Sequence, residues 1–193
     1  ATLLGNVAPV FTALLERLHG QAWNRTTILG LILSLAGAVI IQGGGLTNPE
    51  NAAGNWLALL SSLFMALAWI QAKTIRKNTH TVVYSRHLFL IASGTILVIV
   101  FLAGYSPFDF ERQHLPWFLF LGLVPSILGH NLLNYAVRFI SSTAVASVVL
   151  GEPILASFFG FILFQEAMPP ASLIGGPMIL VGLYYILSSQ FPD

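Results

Sequence analysis

Long apolar runs, separated by short polar stretches, set the pattern of this chain. After Arg25 no Asp, Glu, Lys, Arg or His occurs until Glu50, and after Glu50 none occurs until Lys73. Similar runs occupy 88–108, 115–137 (interrupted only by His130), 139–165 (interrupted only by Glu152) and 167–192. About 20 largely apolar residues cover a hydrocarbon core of ~30 Å, so each of these six runs predicts a membrane crossing. The runs are apolar all round and about twice the ~10-residue alternating segments of a barrel, which makes them helices. The first run, Ala1 to Leu15, falls short of the bilayer by roughly a turn or more. It reads as the tail of a span whose beginning lies upstream, and residue 1 is not Met. No basic region precedes it, so it does not read as a signal peptide. The expectation is an all-α integral membrane protein with seven transmembrane helices, the first truncated.

Composition agrees. Hydrophobic residues make up 56% of the chain and charged residues 8%, where a soluble domain carries about a quarter charged. The bilayer is therefore the expected solvent, and a net charge of +1 gives no ground for a nucleic-acid partner. The absence of cysteine excludes disulfides, Cys-ligated zinc and thiol catalysis. Charge sets the orientation, because cytoplasmic loops carry an excess of Lys and Arg. Arg17, Arg25, Lys73, Arg76, Lys77, Arg86 and Arg138 fall on one side of the seven spans and only Arg112 on the other, which holds Glu50, Asp109, Glu111 and Glu166. The C-terminus is then cytoplasmic. The basic loop Lys73 to Arg86 reads as a topology signal, and Trp23, Trp56 and Trp117 read as anchors at span edges.

The chain also repeats itself. PVFTALLERLHGQAWNRTTILGLILSLAGAVI from Pro9 echoes PILASFFGFILFQEAMPPASLIGGPMILVGLYYI from Pro153. Each copy runs from a proline through a helix of small and apolar residues and a short polar turn into a second helix. That second helix carries glycines seven apart, Gly30 and Gly37 in one copy and Gly175 and Gly182 in the other. The prolines lie five spans apart, an odd number, so the copies enter the membrane from opposite sides. Such an inverted repeat is a device of secondary transporters.

Two stretches resemble the drug/metabolite transporter superfamily and its EamA-type domain. GNWLALLSSLFMALAWIQAKTIRK from Gly54 looks like the opening helix of a second EamA unit. LGHNLLNYAVRFISSTAVASVVLGEPILASFFGFILFQE from Leu128 looks like its later core, carried by Gly129-His130, Asn134-Tyr135-Ala136, Gly151-Glu152-Pro153 and Glu166. The resemblance implies two five-helix inverted repeats, of which three N-terminal spans would be absent. Residues 1–46 would be the last two helices of the first repeat and 47–54 an extracytoplasmic linker. Residues 55–190 would form the whole second repeat, with 191–193 a cytoplasmic tail. It also implies residence in a bacterial inner (plasma) membrane. In one respect the chain departs from the family pattern. The position matching Glu166 is Ala22, so the first copy has no acid at that place.

Candidate chemistry comes from polar groups that lipid would reject. Glu152 lies in the middle of its span, where a charge costs about 2.5–3.5 kcal/mol on insertion scales and so faces a bundle interior or a wet cavity. Pro153 beside it removes a backbone donor and frees a carbonyl one turn earlier, as Pro9 does in the first copy. Glu152 then either contacts substrate or a proton, or is a protonated clamp between helices. Ser126, His130 and Asn134 recur every four residues and share one helical face. An imidazole at His130 suits gating or coupling, and Asn134 can bond a polar substrate. The alternative is interhelical glue at ~0.6 kcal/mol per bond. Trp69 is either a belt residue or a surface on which substrate stacks, and Ala156 and Gly160 read as a close-packing seam.

No phosphate loop, HExxH, GxSxG or paired-His spacing occurs, so no metal, cofactor or enzymatic activity is expected. The reading is a secondary-type carrier of small organic solutes or metabolites, amino-acid or related export among them, working by alternating access. A homodimer is one way to supply missing helices. A seven-helix receptor leaves the inverted repeat without a reason, and a membrane-embedded enzyme would have only His130 and Glu152 as reactive groups.

Overall fold

Among the described residues the apolar runs form helices and no strand occurs. A computed structural model describes residues 2–22, 24–42 and 52–191. Trp23, Glu50, most of the 47–54 linker and the last two residues of the tail lie outside them. The helices are α1 (Thr2–Gly5), α2 (Ala8–Leu18), α3 (Arg25–Gln42), α4 (Ala52–Arg76), α5 (Thr81–Leu102), α6 (Leu115–Leu121), α7 (Asn131–Ala136), α8 (Ser142–Val148), α9 (Glu152–Phe164) and α10 (Pro170–Ser188). A π-helical stretch, Gly122–His130, joins α6 to α7, and a 3-10 turn, Val149–Gly151, joins α8 to α9.

Among the described residues six stretches are long and apolar enough to cross a membrane: Arg25–Gln42, Ala53–Arg76, Thr81–Leu102, Arg112–Ala136, Ser142–Phe164 and Pro170–Ser188. They correspond to the six full-length runs; the seventh, truncated span expected at Ala1 to Leu15 is not among them. The first apolar run is interrupted at Asn6 and Val7, leaving helices of 4 and 11 residues, neither of which spans alone. The basic stretch 73–86 is also less of a loop than its charges suggested. α4 continues to Arg76 and α5 begins at Thr81, so only a short turn separates them.

The chain folds as two compact units, one of residues 1–71 with 140–193 and the other of residues 72–139. In the first unit the seam is glycine on glycine. A methyl group added at Gly30 would stand 2.5 Å from the Gly182 carbonyl oxygen, and one at Gly37 would stand 2.5 Å from that of Gly175. Pairing 30 with 182 and 37 with 175 makes α3 and α10 antiparallel. Small residues let helix backbones approach this closely, which is how helices gain dispersion energy where lipid is as apolar as leucine. Around the seam, Ala38, Leu150 and Ile179 form one buried cluster, and Leu31, Ala144 and Ile186 form another. α8, with the sequence STAVASV, is buried from Ser142 to Ser147 because no side chain in it is too large for the centre of the unit.

α9 buries none of its residues. Ala156 is exposed and Gly160 meets only the Glu166 side chain, 3.2 Å from the place of a Cβ. The close-packing seam expected at Ala156 and Gly160 is therefore not formed among the described residues; the repeat glycines form it instead.

In the second unit Arg76 is buried at the end of α4. Its Nε donates to the Asn134 carbonyl at 2.9 Å, and its terminal nitrogens donate to the Thr79 carbonyl and the Thr81 hydroxyl. One guanidinium thus pins the 77–80 turn and the end of α7. Large residues such as Leu102, Leu90 and Ile91 remain exposed, as expected of a surface whose solvent is lipid.

Candidate functional site

Proline breaks both helices that the repeat pairs. Pro9 stands in the first turn of α2, and the carbonyl four residues before it, Gly5, has lost its helical donor. Ser62 of α4 stands in. Its buried hydroxyl lies 2.6 Å from both the Leu4 and the Gly5 carbonyl oxygens. A side-chain hydroxyl re-satisfying a broken helix is how membrane segments tolerate proline. Pro153 occupies the first turn of α9, and the chain before it tightens into the 3-10 turn at Val149–Gly151.

In the first unit the Pro9 break borders a cavity of about 80 Å³, lined by Asn6, Pro9, Ser61 and Trp69 and, from the stretch leading to Pro153, by Ala146 and Val149, among others; Glu152 and Pro153 do not line it. Trp69 is not a belt residue. It is 5% exposed, its carbonyl accepts from the Ser142 hydroxyl at 3.2 Å, and its buried Nε1–H has no partner among the described residues. The walls of this void are mainly apolar, with unwound carbonyls and an unspent donor as its polar features, an arrangement that suits a small ligand carrying a polar group.

A second, larger cavity of about 200 Å³ lies at the other end of α8. It is lined by Glu16, Gln21, Asn24, Thr27, Ser141 and Gln190 among others. Glu16 is 7% exposed, and its two carboxylate oxygens accept from the Ser142 backbone N–H at 2.7 Å and the Thr143 hydroxyl at 2.6 Å. Gln190 accepts from the Ser141 N–H at 2.8 Å, and the Thr27 and Ser189 hydroxyls pair at 2.8 Å. By sequence, Glu16 ends the first apolar run and stands too near Pro9 to substitute for the acid that Ala22 lacks. The signal available was its place in the same turn-rich copy as Pro9, matched by the run Ser141-Ser142-Thr143, whose donors call for an acceptor.

The remaining predicted residues have separate environments. Glu152 is exposed at the start of α9 and has no hydrogen-bond partner among the described residues. In the second unit, Ser126 donates to the Leu121 carbonyl at 3.1 Å. His130 is exposed, with Nδ1 3.1 Å from the Pro125 carbonyl and its ring edge-on to Phe89 at 6.3 Å. Asn134 alone of the three is buried, and its amide donates to the Ser85 hydroxyl at 3.1 Å. Ser126 and His130 turn to carbonyls five residues back because Pro125 sits inside a π-helical stretch, where the wider winding frees those carbonyls. Hydrogen bonds do not link the three into one polar stripe.

Comparison with known proteins gives consistent results. A family model described as the EamA-like transporter family matches residues 52–188. An uncharacterized transporter of Archaeoglobus fulgidus is 27% identical over 98% of this chain and 67% of its own length. The uncharacterized transporter YdfC of Bacillus subtilis is 26% identical, covering 96% of this chain and 61% of its own. A probable terminal-alkyne amino-acid exporter of Streptantibioticus cattleyicolor is 25% identical, covering 96% and 63%. The chain thus spans roughly two thirds of the length of these curated relatives. No solved structure matches significantly.

Proposed function

The chain belongs to the EamA-like transporter family, and on that premise we propose that it works as a secondary carrier of small organic solutes by alternating access. The observation that carries this reading is the meeting of two proline-broken helices at one small cavity walled by Trp69. A break at mid-span gives a helix two half-helices that can tilt separately, and it exposes backbone carbonyls to a ligand. Two proline-broken helices that both border one void, on segments that repeat each other in sequence, are what a carrier with pseudo-symmetric halves requires. The antiparallel run of α3 and α10, with matching glycines facing, supports the inverted repeat.

Glu152 is the first residue we assign to substrate contact or coupling, because an exposed carboxylate in the middle of a crossing needs polar surroundings in the working protein. Trp69, His130, Asn134 and Ser126 follow, with Asn134 weighted toward structure by its bond to Ser85. Pro9 and Pro153 act as the kinks. The exporter relative's name directs the choice of probe toward amino acids.

The test is flux in proteoliposomes containing the protein expressed from its full reading frame, loaded with radiolabelled terminal-alkyne and ordinary neutral amino acids. Saturable, protein-dependent flux is expected, reduced at least tenfold by Glu152→Gln at unchanged yield of folded protein. Loss of yield in proportion to flux would mark Glu152 as a clamp. Equal flux in protein-free liposomes would remove amino acids as the substrate class.

A further inference from the structure

We propose that Glu16 and Gln190 form a latch on α8, and that its release joins the two cavities of the first unit into one path. The inference starts from what separates the cavities. Thr143 lines the larger one, while Ala146 and Val149 line the smaller. Between them α8 is the partition, a seven-residue helix whose residues 142–147 are each no more than 1% exposed. Its side chains are all small, so nothing bulky keys it into its neighbours.

What holds it at the Ser141 end is polar and comes from elsewhere in the chain. Glu16 of α2 takes the Ser142 N–H and the Thr143 hydroxyl, and Gln190, beyond the end of α10, takes the Ser141 N–H. At its other end α8 runs into the 3-10 turn before Pro153, a joint that proline has already weakened. A short helix with small side chains, a weakened joint at one end and four hydrogen bonds at the other, the three to Glu16 and Gln190 and one from the Ser142 hydroxyl to the Trp69 carbonyl, can swing when those bonds are exchanged for water. The larger cavity supplies that water, because Glu16 and Gln190 both line it. Carboxylate and amide acceptors exchange partners readily at a wet surface, whereas an apolar lock would have to expose its area each time. The latch therefore closes this end of the first unit and opens without disturbing the glycine seam between α3 and α10.

The meaning of the latch for transport rests on the carrier reading, but its test does not. The 193 residues contain no cysteine, so Ala146→Cys places a single small thiol in the inner cavity. Its rate of reaction with a charged, membrane-impermeant methanethiosulfonate, applied in turn to each face of sealed vesicles, reports whether the partition is open. With the latch intact, labelling from the Glu16 face is expected to be slow. In Glu16→Ala/Gln190→Ala it should rise at least tenfold from that face and not from the other. Labelling within twofold of the parent would overturn the proposal.

A second variant separates a gate from a fixed clamp and decides the matter if the double alanine variant does not fold. Glu16→Cys and Thr143→Cys, combined with Ala146→Cys, are joined before labelling by a short photocleavable bis-maleimide, whose thioether bonds survive reductant. The 146 thiol is held during bridging as a small mixed disulfide and freed by reductant, light cleaves the bridge, and peptide mass spectrometry reads the label at residue 146 alone. Unbridged protein should label fast, bridged protein at least tenfold more slowly, and cleavage of the bridge should restore the fast rate. Equal rates with and without the bridge would mean that α8 does not move there, whatever the flux experiment finds.

Discussion

Gly30 and Gly182 face each other across α3 and α10 so closely that a Cβ on Gly30 would lie 2.5 Å from the Gly182 carbonyl oxygen. The same distance separates Gly37 from Gly175 one heptad away. Two contacts of this kind fix both the spacing and the relative direction of the helices, and no side chain can be inserted without moving a backbone. The seam is the part of the first unit least able to deform, so any motion during a transport cycle has to occur around it.

Gly182→Ala should therefore destabilise the protein, because the added methyl meets the Gly30 carbonyl and the Ser34 hydroxyl and amide. Overpacking typically costs about 1–3 kcal/mol, which outweighs the gain of at most about 1 kcal/mol from exchanging glycine for alanine in a helix. Gly94→Ala on α5, where nothing lies within 4 Å of the new methyl, keeps only the gain. Thermal unfolding in detergent should show a lower midpoint for Gly182→Ala and an unchanged or higher one for Gly94→Ala.

Ser62 and Pro9 should be coupled energetically. Ser62→Ala leaves the carbonyl freed by Pro9 without a donor, at a cost of about 1–3 kcal/mol for a buried acceptor. Pro9→Ala returns a backbone N–H to that carbonyl, so in its background the loss of the Ser62 hydroxyl should cost less by about 0.5–3 kcal/mol. A double-mutant cycle by thermal or denaturant unfolding checks this, and strict additivity would refute it.

The second unit should depend on Arg76 through shape as much as charge. Arg76→Met leaves the buried Asn134 carbonyl without its donor, at about 1–3 kcal/mol, and the half-buried Thr79 carbonyl at less, because water can reach it. Arg76→Lys should recover only part, since an ammonium cannot reproduce a planar fork reaching three acceptors. Lys77 lies exposed in the turn that Arg76 pins, so the initial rate of tryptic cleavage there should rank Arg76→Met fastest, then Arg76→Lys, then the parent protein.

The six full-length spans were legible in the sequence because lipid imposes a length and a composition on each crossing and most charges report a boundary, whereas the seam read at Ala156 and Gly160 is not formed among the described residues. The repeat glycines were legible for a related reason: equal spacing in two copies makes sense only if the copies pack on a common rule, and Gly30, Gly37, Gly175 and Gly182 do so. Burial was harder to read. Trp69 looked like an interface residue because its neighbours Lys73 and Arg76 mark a span end, but helix position does not say which face of α4 the ring takes. The Ser126, His130 and Asn134 stripe assumed α-helical winding, which the π-helical stretch around Pro125 does not keep. The pairing of Glu16 was not read because its partners, Ser142 and Thr143, lie more than a hundred residues away, and a run of donors in one sequence does not say which acid meets it.

Trp69 gives the sharpest separation between a structural and a ligand-binding role. Its indole N–H is buried without a partner among the described residues, a state that costs about 1–3 kcal/mol and that packing alone does not reward. Trp69→Phe removes the donor while keeping an aromatic ring, so the donor's lost penalty and the lost contact area oppose each other and stability should change by no more than about 1.5 kcal/mol. Trp69→Ala, by contrast, empties the wall of the inner cavity and should cost about 3–5 kcal/mol. If the N–H is held for a ligand, Trp69→Phe will raise the half-saturating substrate concentration in the flux assay several-fold while the unfolding midpoint stays near that of the parent. A variant with parental half-saturation would assign Trp69 to packing and leave the helix breaks themselves to bind the substrate.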